Sequence, residues 1–264
     1  MGLKQAVLLD LFYLCEQRDN FIFDNNDVET ICRKHGFVNK FDVTKVDHIE
    51  LLPKELRQKD YAVIHLGSGQ HKFVQGISRI YHHFEPIEQT VDWHYRSSLL
   101  NRYNSSESNL LSIANNQRIL HHFLFGLDRE FSNLAIEKRP KTYFPHRTKM
   151  NLEYTIYNES VQLNNIQMEI DLTIEYDGHI GVFEAKIGRA TSFSVYQLYH
   201  PFLYYYLAKE KIGAYIKSIT GVYLTQQRNV PNLLNLWAYT FSQPKEMTSL
   251  QLMKSATYAL VESD

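Results

Sequence analysis

Strict alternation of apolar and polar residues marks the stretch from Ile166 to Tyr176. Ile166, Met168, Ile170, Leu172, Ile174 and Tyr176 fall on one face, and Gln167, Glu169, Asp171, Thr173 and Glu175 on the other, which is the period of two of a β-strand. Asp177-Gly178 comes next, a pair suited to a type I′ turn because both central residues of that turn need positive φ. The pattern resumes from His179 to about Ile187 and puts Glu184 and Lys186 on a common face. The two runs predict a β-hairpin on which Asp171, Glu184 and Lys186 converge.

Helical spacing dominates the N-terminal part. Leu3 to about Glu16 carries a stripe of Ala6, Leu9, Phe12 and Tyr13. A second helix is expected from capping side chains at Asp24 to Asn26 to the stop at Lys34-His35-Gly36. Phe37 to Lys54 has no decisive period, and Tyr61 to Leu66 then leads into a hairpin around Gly67 to Gly69. This order matches a winged-helix module, although small helical packing domains share it. Residues 1–88 are therefore expected to form a smaller N-terminal α+β domain, with DNA recognition as the role a winged helix would give it, and residues 89–264 a second domain that carries the candidate chemistry.

In the second part, Ser105 to Ser108 offer caps for a long helix from Asn109 to Phe125, ended by Gly126. Leu110, Ile113, Ala114, Leu120, Phe123 and Leu124 form its core stripe, and Glu107 and Gln117 are the polar candidates that could face the acidic hairpin, with a cap or surface role the preferred reading for both. A strand from Leu152 to Asn158 is expected to lead through Asn164-Asn165 into the hairpin. Beyond it, Phe193 to Lys209 reads as a helix that Pro201 kinks or restarts. Strands are expected at Ile219 to Gln226, Leu234 to Ser242 and Leu250 to Val261.

Composition narrows the picture. With 264 residues, 44% of them hydrophobic, the chain suffices for one large or two smaller domains. A net charge of −1 provides no global basic field. A nucleic-acid function must then rest on local charge, such as the run from Lys138 to Lys149 with its interleaved aromatics, which a solvated loop explains equally well. Cys15 and Cys32 are too few for a disulfide framework or a four-thiolate zinc site, so a reducing, cytoplasmic setting is expected. The first residues lack the pattern of a signal peptide, and no run approaches the roughly 20 apolar residues of a membrane helix. His65, His71, His82, His83 and His94 show no zinc-helix spacing and are expected to be hydrogen-bonded or surface histidines.

Candidate chemistry centres on the hairpin. Val182, Phe183, Ala185 and Ile187 mark its second strand as mostly buried, and buried carboxylates cost several kcal/mol unless a cation compensates them. Asp171 and Glu184 are hard oxygen ligands of the kind Mg²⁺ takes sparingly, with water and phosphate completing its shell. The alternative is an internal cluster of ion pairs on a solvated sheet face.

Helix, strand, hairpin with Asp and Glu-x-Lys, helix and strand resemble the PD-(D/E)XK nuclease superfamily over about Asn109 to Gln226. The matching residues are Asp171 and Glu184-Ala185-Lys186, with Gln197 at a polar position that many members place near the metal. Ile170 replaces the proline of the family's name, and Glu169-Ile170-Asp171 resembles a Glu-x-Asp form that implies Glu169 as a third acid. Phe183 to Lys186 with Gln197 to Pro201 is similar to the core of certain type II restriction endonucleases. The resemblance implies an α/β fold, a restriction-endonuclease-like mixed sheet flanked by helices. It also implies a sequence-specific endonuclease acting on double-stranded DNA as a homodimer. One or two Mg²⁺ ions would be held by Asp171, Glu184 and the carbonyl of Ala185, with Lys186 placing water or offsetting charge, and the products would be a 5′-phosphate and a 3′-hydroxyl. A structure-specific repair or junction nuclease, and a non-catalytic DNA-binding protein with a degenerate nuclease core, are the alternatives. Arg102, Lys138, Arg139, Lys141, Arg147, Arg189 and Arg228 are candidates for phosphate or base contacts that position in the chain does not sort.

Overall fold

A computed structural model of the chain describes residues 2–96, 98–99, 106–127, 133–188 and 190–263. Helix α1 (Leu3–Arg18) buries Val7, Leu8, Leu9, Leu11, Phe12 and Cys15 and exposes Tyr13. Its core stripe is turned away from the predicted Ala6 and Tyr13, because Val7, Leu8 and Leu11 offer more aliphatic surface. After β1 (Ile22–Asp24), the Asp24 carboxylate accepts the N–H groups of Asn26 and Asp27 at the start of α2 (Asn25–His35). Gly36 ends that helix at φ 66°, as the sequence signals require. The stretch without a period folds into α3 (Lys40–Val43), a 3₁₀ turn at Ile49–Leu51 and α4 (Lys54–Gln58). Strands β2 (Tyr61–Gly67) and β3 (Gln70–Gln75) complete a three-stranded antiparallel sheet of order β1-β3-β2. The turn of that hairpin is docked on the rest of the molecule: Ser68 Oγ donates to the carbonyl of Asn164 at 3.2 Å.

Strand β4 (Tyr81–His83) leads to β5 (Thr90–Tyr95). The single helix expected over 109–125 is two helices, α5 (Glu107–Asn116) and α6 (Ile119–Phe125). Arg118 stands between them at φ 65°, and the Trp93 indole donates to the Gln117 carbonyl at 2.9 Å, satisfying a group that the break frees. Strand β6 (Lys141–Tyr143) comes before a long hairpin of β7 (His146–Ile156) and β8 (Glu159–Ile170). Its turn is Tyr157-Asn158, with φ of 52° and 68°. Asn164-Asn165 is an irregularity inside β8, where Asn165 takes φ 54°, and not the connection the sequence suggested.

Strands β9 (Leu172–Tyr176), β10 (His179–Ile187) and β11 (Ser192–Ser194) precede α7 (Tyr196–Ile212). This helix does not restart at Pro201, which is buried within it. Strands β12 (Ser218–Gln226), β13 (Leu233–Phe241) and β14 (Leu250–Glu262) complete the chain. The fold is α/β with a seven-stranded mixed sheet of order β5-β14-β13-β12-β10-β9-β6. Within it β10 and β12 run parallel, and α7 forms the crossover between them.

Two apolar layers cover the sheet. On one face, Leu110, Leu111, Leu120 and Phe123 pack on Phe183, Ala185, Val222 and Leu224. On the other, Val182 and Ile219 meet Tyr199, Phe202 and Leu203 of α7. This second layer is continuous with Val7, Leu11, Phe12 and Phe73 and with Leu152, Tyr154 and Ile166, so one core joins the N-terminal elements to the β7–β8 hairpin and the main sheet. Among the N-terminal histidines, His65 and His71 approach Nδ1 to Nδ1 at 2.9 Å, and His71 Nε2 meets Asn25 Oδ1 at 3.1 Å. Burial holds His71 down to about 3, so that pair is neutral at pH 7. Among the described residues, no helix is long and apolar enough to cross a membrane.

Candidate active site

Local chemistry builds the hairpin first. Asp177 and Gly178 take φ of 48° and 77°, as a type I′ turn demands, and Tyr176 pairs with His179. The register then runs to Leu172 opposite Phe183. The pairing ends there, and Asp171 follows at the bend where β8 passes into β9, with its carboxyl hydrogen-bonded to Glu184. The alternation of exposure holds along β8 to Ile170 and then ends, since Leu172, Thr173 and Ile174 are all buried beneath layers on both faces. Asp171 sits at that transition.

Glu184 is only 15% exposed at its side chain. Its Oε1 lies 2.9 Å from Lys186 Nζ and accepts the Gln197 amide at 3.0 Å. Tyr223 donates to Gln197 Oε1 at 3.4 Å, which orients that amide. Lys186 Nζ also lies 3.2 Å from Glu107 Oε2. Glu107 opens α5, behind Ser106, whose Oγ accepts the Asn109 N–H at 3.1 Å. Glu107 is therefore a member of the cluster and not only a cap or surface residue.

Burial pushes the Glu184 carboxyl up to about 8, with the like charge of Asp171 adding to it and Lys186 opposing it. Burial likewise raises Asp171 above its ordinary value against the pull of Lys186. For Lys186 burial works in the other direction, but the carboxylates of Glu184, Glu107 and Asp47 outweigh it and hold the ammonium above its ordinary value. Lys186 is thus a fixed cation at neutral pH, better suited to placing water and offsetting charge than to removing a proton.

These groups face a cavity of about 440 Å³ near the carboxyl end of β10. Lys45, Asp47 and His65 of the N-terminal part form one wall of it. Tyr196 and His200 contribute from α7, with His200 Nε2 meeting Tyr154 OH at 3.0 Å and burial holding its ring down to about 3. A second cavity, of about 840 Å³, shares Glu107 and Ser108 with the first and is lined by Ile187, Gln226, Arg228 and Pro231.

Among the described residues, no three His, Cys, Asp or Glu side chains are spaced as ligands of one ion. An all-protein cage for zinc or calcium uses three or more such ligands. Mg²⁺ asks for less, since one or two carboxylates with water and phosphate suffice, and the adjoining carboxyls of Asp171 and Glu184 fit that requirement. Pairing of β10 with β9 stops at Phe183, so among the described residues the edge that carries Ala185 has no strand partner on that side.

The remaining candidates separate. Glu169 lines the same cavity but is 46% exposed and bound by Arg147, Nε to Oε2 at 3.1 Å and Nη2 to Oε1 at 3.2 Å. Arg139 donates to the Leu134 carbonyl at 2.9 Å. Lys138 and Lys141 are exposed near the edge strand β6, Arg228 is exposed at the second cavity, and Gln117 lies at the far end of α5. Arg102 and Arg189 lie outside the described residues. Glu107 carried a faint signal in the sequence, an acid at the first turn of the helix preceding the hairpin. Lys45 and Asp47 carried none, because their stretch has no readable period.

Comparison with known proteins gives two family matches. One, Domain of unknown function (DUF6996), covers residues 6–73, and the other, Domain of unknown function (DUF6997), covers residues 76–259. They meet at the end of β3. No curated protein and no solved structure matches the chain.

Proposed function

The chain belongs to the family Domain of unknown function (DUF6997), and from its site we propose a Mg²⁺-dependent, sequence-specific DNA endonuclease of the restriction type. The carrying observation is the cluster in which the Glu184 carboxyl meets Asp171, Lys186 two residues on, and the Gln197 amide. Helix α5, the hairpin β9–β10, helix α7 and strand β12 follow the order of a restriction-endonuclease-like core. The opening at the carboxyl end of parallel strands is a position where α/β sheets bind ligands.

A bound Mg²⁺ would polarise the phosphoryl oxygen and lower the pKa of an attacking water. Asp171, Glu184 and the carbonyl of Ala185 would hold one or two such ions. Gln197 fixes the Glu184 carboxyl, and Glu107 holds Lys186 together with Glu184. Lys186 orients the water and offsets charge building on the phosphoryl group. Water oxygen bonds to phosphorus and gives up a proton to solvent, the bond from phosphorus to the 3′ oxygen breaks, and that oxygen takes up a proton from solvent. The products carry a 5′-phosphate and a 3′-hydroxyl. Cutting both strands of a duplex is simplest for a two-fold homodimer. Cys15 and Cys32 are free and buried, which supports a reducing, cytoplasmic setting.

Incubating plasmid and genomic DNA with the protein, in Mg²⁺ and in chelator, tests the proposal. Discrete fragments in Mg²⁺ alone are expected, with cleavage abolished in Asp171→Asn, Glu184→Gln and Lys186→Ala proteins that remain folded. Full cutting by the Glu184→Gln protein would sink the assignment. Cutting confined to branches or ends would identify a structure-specific nuclease, and tight binding without nicking in any divalent metal a non-catalytic binder.

A further inference from the structure

The two cavities adjoin at Glu107 and Ser108, and of the groove they make Lys45 lines only the first part and Arg228 only the second. Both side chains belong to exposed residues, and neither makes an ion pair among the described residues, whereas Arg147 is occupied by Glu169. Resting on the endonuclease proposed above, we infer that Lys45 and Arg228 are phosphate anchors flanking the scissile phosphate, so that the cut strand crosses the groove from the N-terminal unit to the β12–β13 connection.

Both anchors stand on tied backbone. The Lys45 carbonyl accepts Lys4 Nζ at 2.7 Å, and the Asp47 carbonyl accepts the Ser194 N–H at 2.8 Å. Strand β11, which contains Ser194, runs directly into the helix that presents Gln197. At the other end, Gln226 Nε2 donates to the Pro231 carbonyl at 2.7 Å and closes the loop around Arg228. The N-terminal unit therefore meets nucleic acid through the Lys45 segment, since its β2–β3 turn is packed against Asn164. Between the anchors the groove holds Asp47, Glu107, Asp171 and Glu184 against Lys186. Even with Glu184 protonated, the other acids outnumber Lys186 and repel phosphate until a divalent cation enters, so strand binding requires the cation.

The test is fluorescence anisotropy of a labelled DNA duplex with the full-length protein, in Ca²⁺ or in chelator, at NaCl from about 50 to about 200 mM. Each lost phosphate contact lowers the slope of log affinity against log salt by about 0.9. Lys45→Ala and Arg228→Ala are each expected to show that loss and the double variant about twice it. Lys45→Arg and Arg228→Lys should keep the wild-type slope, as should Lys209→Ala at the opposite end of α7 from Gln197. Tight wild-type binding with unchanged slopes in both alanine variants would overturn the anchors and leave the endonuclease proposal standing. An equal loss in Lys209→Ala would also overturn them, as would equal binding in chelator. A wild-type protein that neither binds nor cuts DNA would overturn both.

Discussion

Glu107 holds Lys186 across 79 positions of the chain, Oε2 to Nζ at 3.2 Å. In the proposed metal-bound state, with Glu184 facing the cation, Glu107 would remain as the carboxylate in contact with the ammonium. Partners that orient a metal site's working groups are typically worth about 10- to 100-fold in activity. The Glu107→Gln protein is therefore expected to cleave about 10- to 100-fold more slowly at saturating Mg²⁺, with an unchanged circular dichroism spectrum. A wild-type rate would reduce Glu107 to a helix-end acid.

At the proposed metal site, Glu184 would make cation binding depend on pH. Burial first, and Asp171 second, hold its carboxyl up at about 8, and a protonated Glu184 still accepts from Lys186 and Gln197 through Oε1. A divalent cation needs the ionised form, so binding below about pH 8 must release a proton. Mn²⁺ titration calorimetry in buffers of different ionisation enthalpy is expected to report close to one proton per ion at pH 6.5 and none at pH 9. The linked stability has the same origin. The folded value lies above the ordinary 4.5, so this contribution is fully present below that value and is lost as pH rises through about 8. Cation binding reverses the loss. Absence of proton release at pH 6.5 would mean that Glu184 is already ionised against Lys186.

The hairpin was legible in the sequence because its signals are local: a period of two, and Asp177-Gly178 at its turn. The ends of α2 were legible for the same reason, with Asp24 and Gly36 acting on their own neighbours. Other features depend on tertiary contacts that no window contains. Arg118 breaks the predicted helix where Trp93, from a different strand, captures the freed Gln117 carbonyl. Asn165 looks like a loop residue, yet it takes its positive φ inside β8, beside the docked turn of the N-terminal sheet. Lys45 and Asp47 reach the cavity from a stretch whose short helices follow no apolar period. The acids of the hairpin could thus be read, whereas the wall facing them could not.

Gly67 tests the docking of that turn. It takes φ 86°, and a Cβ there would fall 1.9 Å from the Asn164 carbonyl oxygen. Gly67→Ala combines a left-handed backbone with a collision against main chain, for which about 1–3 kcal/mol is a reasonable scale. Thermal unfolding should shift down by several degrees. Ser68→Ala, which removes only the hydroxyl bond to Asn164, is expected to cost about 1 kcal/mol or less. Equal stability of Gly67→Ala and wild type would show that the N-terminal sheet is not held at this point.

Glu246 secures the opposite end of the β7–β8 hairpin. Its carboxylate accepts Thr155 Oγ1 at 2.6 Å, the N–H groups of Tyr157 at 2.8 Å and Asn158 at 3.3 Å, and the Thr248 hydroxyl. Burial alone would raise its carboxyl, but these donors hold it down at about 2 against an ordinary 4.5. The contribution to stability is therefore present above about pH 4.5 and is lost as pH falls toward 2. Because Glu246 remains partly solvated, screening reduces its worth to about 1–2 kcal/mol. Urea unfolding of Glu246→Gln should show that deficit at pH 7, and the gap to wild type should narrow steadily below pH 4.5. The hairpin it anchors carries Tyr154, whose hydroxyl meets His200 at 3.0 Å in the cavity wall. Loss of Glu246 is thus expected to loosen the wall facing the acids, so proteolysis of the β7–β8 turn should accelerate in the variant. A gap that stays constant between pH 7 and pH 3 would mean that the bonds, and not the charge, supply the anchor.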